Sequence, residues 1–244
     1  MSAKRKYYFE IEAQDIDFRS RVSLKSLTNM VLITAGKNAS ENGFGLLELQ
    51  TERYTWVLSR LVIDMERMPT EKDSLSIETW IEHIGTAFTT RNFQLRDAAG
   101  TVIGYAKSTW AIIDMSTRRS VRLDSIPSMG QFVVEESVPV DEPHRIAAVE
   151  GEVANIFTAK YSDIDINNHV NSLNYVQWLS DCFSLDFYRE HFIRRFEINF
   201  LKEITWGDNG KVHRQRIAPG DYLFQIETKE KGPACRARIL FGKF

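Results

Sequence analysis

Apolar and polar positions change period along this chain, and they do so twice. Leu24, Leu27, Val31, Thr34, Ala35 and Asn38 recur at helical spacing, as do Leu173, Val176, Leu179, Cys182 and Phe183. Ser23 and Asn171 stand where these helices start and can cap exposed amides, so each helix is expected to begin two residues after Arg21 or His169. Downstream the period falls to two. Leu75, Ile77, Thr79 and Ile81 alternate with Ser74, Ser76, Glu78 and Glu82. Ala87, Thr89, Arg91, Phe93 and Leu95 form another row, ended by the hairpin-like Asp97-Ala98-Ala99-Gly100, and Gly104 to Ile113 reads as the next strand. Later Tyr222, Phe224, Ile226 and Thr228 alternate before Lys231-Gly232-Pro233 turns the chain into Cys235 to Phe241. One long helix followed by antiparallel strands, done twice, predicts an α+β fold.

The repetition extends to short motifs. Asp163-Ile164-Asp165-Ile166-Asn167-Asn168-His169-Val170-Asn171 matches Asp15-Ile16-Asp17-Phe18-Arg19-Ser20-Arg21-Val22-Ser23 at an offset of 148 residues (163 − 15). Asp-Ile-Asp and the later Val are kept, while Asn167 faces Arg19 and His169 faces Arg21. Leu61 to Met68 aligns in turn with Phe196 to Glu203 at an offset of 135 (196 − 61), which sets Met68 opposite Glu203. The change in offset leaves extra residues in the first half, around Glu41 to Tyr54. The chain therefore reads as a duplication in which the second copy alone carries a reactive set. The expected organisation is a first half over 1–130, a linker over 131–151 and a second half over 152–244. The acidic stretch from Pro127 to Gly151, holding Pro139 and Pro143, is expected to cross the surface between them.

Composition removes other classes. An apolar content of 43% suits a core-forming globular chain, and a net charge of −2 gives no general pull toward nucleic acid or anionic membranes. No stretch approaches the roughly 20 apolar residues of a membrane span, and the basic start, Met1 to Lys6, leads into no signal-like apolar run. Cys182 and Cys235 lie far apart without CxxC spacing, so neither a disulfide framework nor a metal site is expected, and a reduced cytoplasm fits. There is no G-x-S-x-G elbow, no H-E-x-x-H and no glycine-rich phosphate loop; no cofactor is expected.

Residues 163–172 closely resemble the Asp-Leu-Asp-Val-Asn-Gln-His-Val-Asn-Asn motif of acyl–acyl carrier protein thioesterases of plant plastids and bacteria. Trp56-Val57-Leu58-Ser59-Arg60, Glu78-Thr79-Trp80 with Gly85 and Arg91, and Ala106-Lys107-Ser108-Thr109-Trp110 followed by Thr117-Arg118-Arg119 resemble further signatures of that family. The resemblance runs from about Tyr8 to the C-terminus. It implies a tandem hotdog fold, each unit a long helix wrapped by an antiparallel sheet. It also implies hydrolysis of acyl–acyl carrier protein to free fatty acid, with functional positions at Asp165, Asn167, His169 and Glu203. Plant members carry a cysteine directly after the glutamate; Ile204 stands there, so a thiol mechanism at that site is closed to this chain. Plant members also carry plastid-targeting segments, and the start of this sequence close to the fold suggests a bacterial cytoplasmic form.

The chemistry of these residues leaves roles open. Glu203 can act as general base on water, His169 and Asn167 can orient water, carbonyl or Glu203, and Asp165 can attack the thioester or fix its neighbours. The helix near Asn171 offers amides to a developing oxyanion. Asp163, repeated as Asp15, reads as structural. The first half, lacking a reactive set, is expected to house the acyl chain, with Val31, Thr34 and Trp56 as candidate contacts. An acidic carrier protein calls for a local basic patch: Arg189, Arg194 and Arg195, with Arg118, Arg119 and Arg122 in reserve. A homodimer is compatible with all of this. The competing readings are a hotdog acyl-CoA thioesterase, a dehydratase, and a non-catalytic acyl-binding or acyl-sensing hotdog.

Overall fold

Each half opens with a strand that the alternating pattern does not reveal: β1 (Arg5–Glu10) and β6 (Glu152–Thr158). The computed structural model describes residues 3–71, 73–123 and 129–243; Met1, Ser2, Pro127 and Phe244 lie outside the described residues. In the first half β1 is followed by α1 (Leu24–Glu41), α2 (Leu46–Thr51), β2 (Tyr54–Met65), β3 (Ser74–Ile84), β4 (Thr89–Arg96) and β5 (Val102–Asp114). In the second half β6 is followed by α3 (Ser172–Ser180), α4 (Leu185–Glu190), β7 (His191–Phe200), β8 (Asn209–Ala218), β9 (Asp221–Thr228) and β10 (Gly232–Lys243).

Among the described residues the strands form one antiparallel sheet in the order β1-β3-β4-β5-β2-β7-β10-β9-β8-β6. Read from either edge the order is the same, with β6 to β10 standing for β1 to β5. The halves meet where β2 pairs with β7, and the register places Val62 opposite Glu197. Those two positions are equivalent at the offset of 135, so the approximate two-fold axis of the duplication passes between them. One apolar core joins the halves: Leu27 and Val31 of α1, Val176 and Leu179 of α3, and Leu61, Ile63, Phe196 and Ile198 of the central strands are all buried in it. Burial at this density is what holds two helices side by side against a single sheet face.

The halves diverge at their helices. Ser23 Oγ accepts from the Ser26 amide at 3.1 Å, and Asn171 Oδ1 accepts from the Leu173 amide at 2.9 Å, so both helices are capped as expected. The second helix, however, ends at Ser180, short of Phe183. Ser184 caps a new helix, α4, by accepting from the Phe187 amide at 3.2 Å. Phe183 turns into an aromatic cluster, its ring centroid 4.7 Å from Phe187 and 4.8 Å from Phe241. The first-half insertion forms α2, entered through Gly43 at a φ of +83°, a left-handed conformation that suits glycine. It buries Phe44, whose carbonyl accepts from Trp56 Nε1 at 2.8 Å.

From Met129 the connection between halves is a packed strap rather than a free crossing. Val138 and Val140 are buried against Val62 and Trp80. Trp80 Nε1 donates to the Glu136 carbonyl at 2.7 Å, and the Ile146 amide donates to Asn199 Oδ1 at 2.8 Å. The strap covers apolar positions that the helices, on the other sheet face, cannot reach.

Candidate active site

The Asp163–Asn171 motif is a tight loop closed on itself. The Asp165 amide donates to the His169 carbonyl at 2.8 Å, the Asn171 amide to the Asp163 carbonyl at 2.8 Å, and Ile164 bridges Val170. Asp165 Oδ1 accepts from the amides of Asn167 at 2.8 Å and His169 at 3.5 Å. Asn168 takes a φ of +62°, which a short amide side chain tolerates. The first copy repeats this loop almost bond for bond. Asp17 Oδ1 accepts from Arg19 and Arg21 at 2.8 and 3.2 Å, and Ser20 takes the left-handed φ of +56°. The carboxylate at this position thus builds the loop in both halves, whether or not the loop carries reactive groups. Asp163 and Asp15 likewise both accept backbone amides, from Lys160 and Glu12.

The loop reaches Glu203 through backbone bonds. The Val170 amide donates to the Ile204 carbonyl at 2.8 Å, and the Ile204 amide donates to the Tyr175 hydroxyl of α3 at 3.2 Å. These two bonds hold the segment after β7 against the motif, and His169 Nε2 comes within 3.2 Å of Glu203 Oε2. Glu203 Oε1 is ion-paired to Arg118, which arrives from the turn after β5 in the other half. Both side chains of that pair are 44% exposed, at the mouth of the site. The Asn167 carboxamide has no hydrogen-bond partner among the described residues, and its side is open to the cavity that follows. The amides of Leu173 and Asn174 are engaged by Asn171, so little of the α3 N-terminus remains for a substrate oxygen.

Asp165, Asn167, His169 and Glu203 share a cavity of about 520 Å³ with Trp56, Trp110 and Arg118 of the first half. A narrower cavity of about 230 Å³ adjoins it, sharing Leu32, Thr55, Trp56, Trp110 and Asn167. It runs along α1 past Ala35, Gly36 and Ala39, which with Leu32 make one helical stripe. Its far end holds Arg91, a buried guanidinium donating to Asn38 Oδ1 at 2.7 Å, with its pKa lowered by burial to about 10. Of the candidate acyl contacts, Trp56 lines both cavities. Val31 and Thr34 do not: they are fully buried on the stripe of α1 that faces the core, and Thr34 Oγ1 donates back to the Met30 carbonyl. Helical periodicity identified α1 without telling which stripe meets the cavity.

A family model for the acyl-ACP thioesterase N-terminal domain matches residues 2–126, and one for the C-terminal domain matches residues 146–241. The chain belongs to the acyl-ACP thioesterase family. The crystal structure of an acyl-ACP thioesterase from Bacteroides thetaiotaomicron superposes with a TM-score of 0.93 at 35% identity, covering 98% of each chain. A 12:0-ACP thioesterase from Umbellularia californica superposes with a TM-score of 0.89, covering 100% of this chain and 99% of that one; at 21% identity it speaks for the fold. A chloroplastic acyl-(acyl-carrier-protein) hydrolase of Cuphea viscosissima is 28% identical over 189 residues, 70% of this chain and 45% of the relative. The chain spans about half the length of the curated relatives it matches. The tandem hotdog architecture expected from sequence is the fold of this acyl-ACP thioesterase family member.

The first half of this family member retains a counterpart cavity of about 390 Å³, lined by Asp17, Arg19, Arg21 and Met68 and by His191 and Phe192 of β7. The two cavities lie at opposite ends of the β2–β7 pair, because the strands run antiparallel through the axis at Val62 and Glu197. This sets the arginines named as carrier contacts apart from Glu203. Arg189, Arg194 and Arg195 precede Glu197 and lie toward the Met68 end, while Glu203 lies toward the other. Arg194 and Arg195 are also committed to structure: each pairs with Asp64 at 3.1 Å, and Arg195 Nε donates to Glu197 at 2.8 Å. Arg189 pairs with Asp186 of its own helix. Arg118, held in reserve from sequence as a carrier contact, is the arginine that stands in the site. Both cysteines are buried and free, with thiols pushed upward by burial, Cys182 to about 12. No helix among the described residues is long and apolar enough to cross a membrane.

Proposed function

We propose that the protein hydrolyses the thioester of acyl–acyl carrier protein, releasing a free fatty acid and the carrier's thiol. The observation that supports this best is the contact of His169 with Glu203 at the mouth of a cavity that continues as an apolar channel along α1. A thioester carbonyl placed at Asn167 would leave its acyl chain beside Gly36 and its carrier arm in solvent. The Asn167 carboxamide, otherwise unengaged, donates to the carbonyl oxygen as negative charge develops on it. Glu203, steadied by His169, takes a proton from water as the water oxygen attacks the carbonyl carbon. The tetrahedral adduct then expels the sulfur, which receives that proton, and the C–S bond breaks to leave acid and thiol. Asp165 acts through the loop it builds, since Asp17 builds the same loop in the half that lacks counterparts of Asn167, His169 and Glu203.

Domain roles follow in this reading. Residues 152–244 supply the reactive set, residues 1–130 supply the acyl channel, and 131–151 strap the two together. The carrier protein docks near the site mouth, where Arg119 and Lys202 add positive charge, and no second copy of the chain is needed to complete the cavity. Incubation with a panel of acyl–carrier proteins and acyl-CoAs, with released thiol and acid measured, tests the proposal. Preference for acyl-CoA would move it to the neighbouring thioesterase class, and stoichiometric acyl binding without turnover would make it an acyl-binding protein.

A further inference from the structure

Glu203 is held from two sides, and the two partners come from different halves. His169 Nε2 lies 3.2 Å from one carboxylate oxygen, and Arg118 is ion-paired to the other. Among the described residues nothing else in the second half grips this side chain, which projects from a segment beyond the end of β7. A glutamate so exposed has rotamer freedom worth up to about 2 kcal/mol to lose. A single contact with His169 leaves the carboxylate able to turn about that contact. A second contact at the far oxygen removes the rotation.

The aim of Arg118 is built into its turn. Asp114, the last residue of β5, accepts through Oδ1 from the Ser116 amide at 2.8 Å, the Ser116 hydroxyl at 2.6 Å and the Thr117 amide at 2.8 Å. These bonds hold the Asp114 carboxyl down to about 2. The Arg118 amide donates to the Asp114 carbonyl at 2.8 Å, and the Asp114 amide donates to the Arg119 carbonyl at 2.9 Å. Arg118 itself sits at a φ of +58°, a left-handed conformation costing a non-glycine residue of order 1 kcal/mol. A turn closed by this many bonds can carry that cost, and the result is an arginine delivered across the junction of the halves.

We propose that Arg118 is a positioning residue for the reaction: a cation from the half without a reactive set that fixes the Glu203 carboxylate beside His169 and the substrate water. The proposal rests on the reading of Glu203 as the general base. It gives the first half a part in the chemistry as well as in chain binding, and it distinguishes Arg118 from a carrier-docking residue.

The test is a double-mutant cycle on a small acyl-pantetheine thioester and on acyl–carrier protein, with melting temperature and circular dichroism verifying the fold of each variant. Arg118→Gln is expected to lower kcat about tenfold on both substrates, with KM nearly unchanged, as small misplacements of a reacting group do. Arg118→Lys recovers most of that loss. In a Glu203→Gln background, Arg118→Gln changes kcat less than about twofold, because a residue acting through Glu203 has nothing left to act on. Losses that multiply in the double variant overturn the proposal. So does a KM increase confined to acyl–carrier protein, which would make Arg118 a docking residue. If Glu203→Gln is inactive while Arg118→Gln turns over normally, only the role of Arg118 falls; if Glu203→Gln itself turns over normally, the reading of the base falls.

Discussion

Gly36 offers a direct way to ask whether the acyl chain lies along α1. It faces the channel between Leu32 and Ala39, in mid-helix, and a Cβ added there meets nothing within 4 Å. Replacing a helix-interior glycine with leucine or alanine gains roughly 0.8 kcal/mol of helix propensity, so Gly36→Leu and Gly36→Ala are expected to melt no lower than wild type. The leucine side chain projects into a channel of about 230 Å³ and displaces about three chain carbons. Each buried methylene contributes about 0.8 kcal/mol, so a chain long enough to reach Gly36 loses about 2.4 kcal/mol, roughly a 60-fold fall in kcat/KM. Alanine takes the space of one methylene, and the same arithmetic gives about a fourfold fall. Chains too short to reach are unaffected. The assay is competition among acyl thioesters of increasing length, with released acids resolved by gas chromatography and melting temperature as control. A product profile unchanged in both variants, or a loss equal at every length, would refute the placement of the chain beside α1.

Four further outcomes follow from the same geometry. Glu203→Gln, His169→Ala and Asn167→Ala are each expected to lower turnover without unfolding, about 100-fold or more for the base; steady-state kinetics with circular dichroism decides it. Asp17→Asn and Asp165→Asn are expected to lower stability by a similar amount, about 1 kcal/mol in urea melts, while Asp165→Asn alone also depresses kcat; equal kinetic effects would contradict the division between the two loops. Burial raises both thiols, so the cysteines stay protonated and covered at pH 8, and iodoacetamide is expected to leave folded enzyme active. Rapid inactivation without unfolding would revive a thiol mechanism. Charge reversal at Arg194 and Arg195 breaks their pairs with Asp64 across the junction of the halves and the Arg195–Glu197 pair within β7, so the melting temperature is expected to fall while KM for acyl–carrier protein holds.

The duplication, the two capped helices and the asymmetric motif were legible in sequence because their physics is local. The loop built by Asp165 closes over a few residues, its copy around Asp17 uses the same bonds, and Ser23 and Asn171 cap their helices from the adjacent position. Alternation likewise exposed β3, β4, β5, β9 and β10. It missed β1 and β6, which lie at the sheet edges, and β8, whose sequence is largely polar with one fully buried residue, Val212. The second helix was read too long because Phe183 keeps helical spacing while its ring belongs to an aromatic cluster with Phe241, far along the chain.

The site divides in the same way. Sequence by itself determined which copy carries Asn167, His169 and Glu203 and which carries Arg19, Arg21 and Met68. It could bring His169 to Glu203 only by resemblance, since that contact depends on Val170 pairing with Ile204 after the strand has crossed the sheet. Only the tertiary structure decided that Leu32, Gly36 and Ala39 face the channel while Val31 and Thr34 face the core, because α1 is packed on two sides and one periodicity serves both. Only it turned Arg194 and Arg195 away from the site and brought Arg118 in. Neighbours in sequence run apart along an extended strand at about 3.3 Å per residue, whereas antiparallel pairing at Val62 and Glu197 brings the turn after β5 to the far half's glutamate.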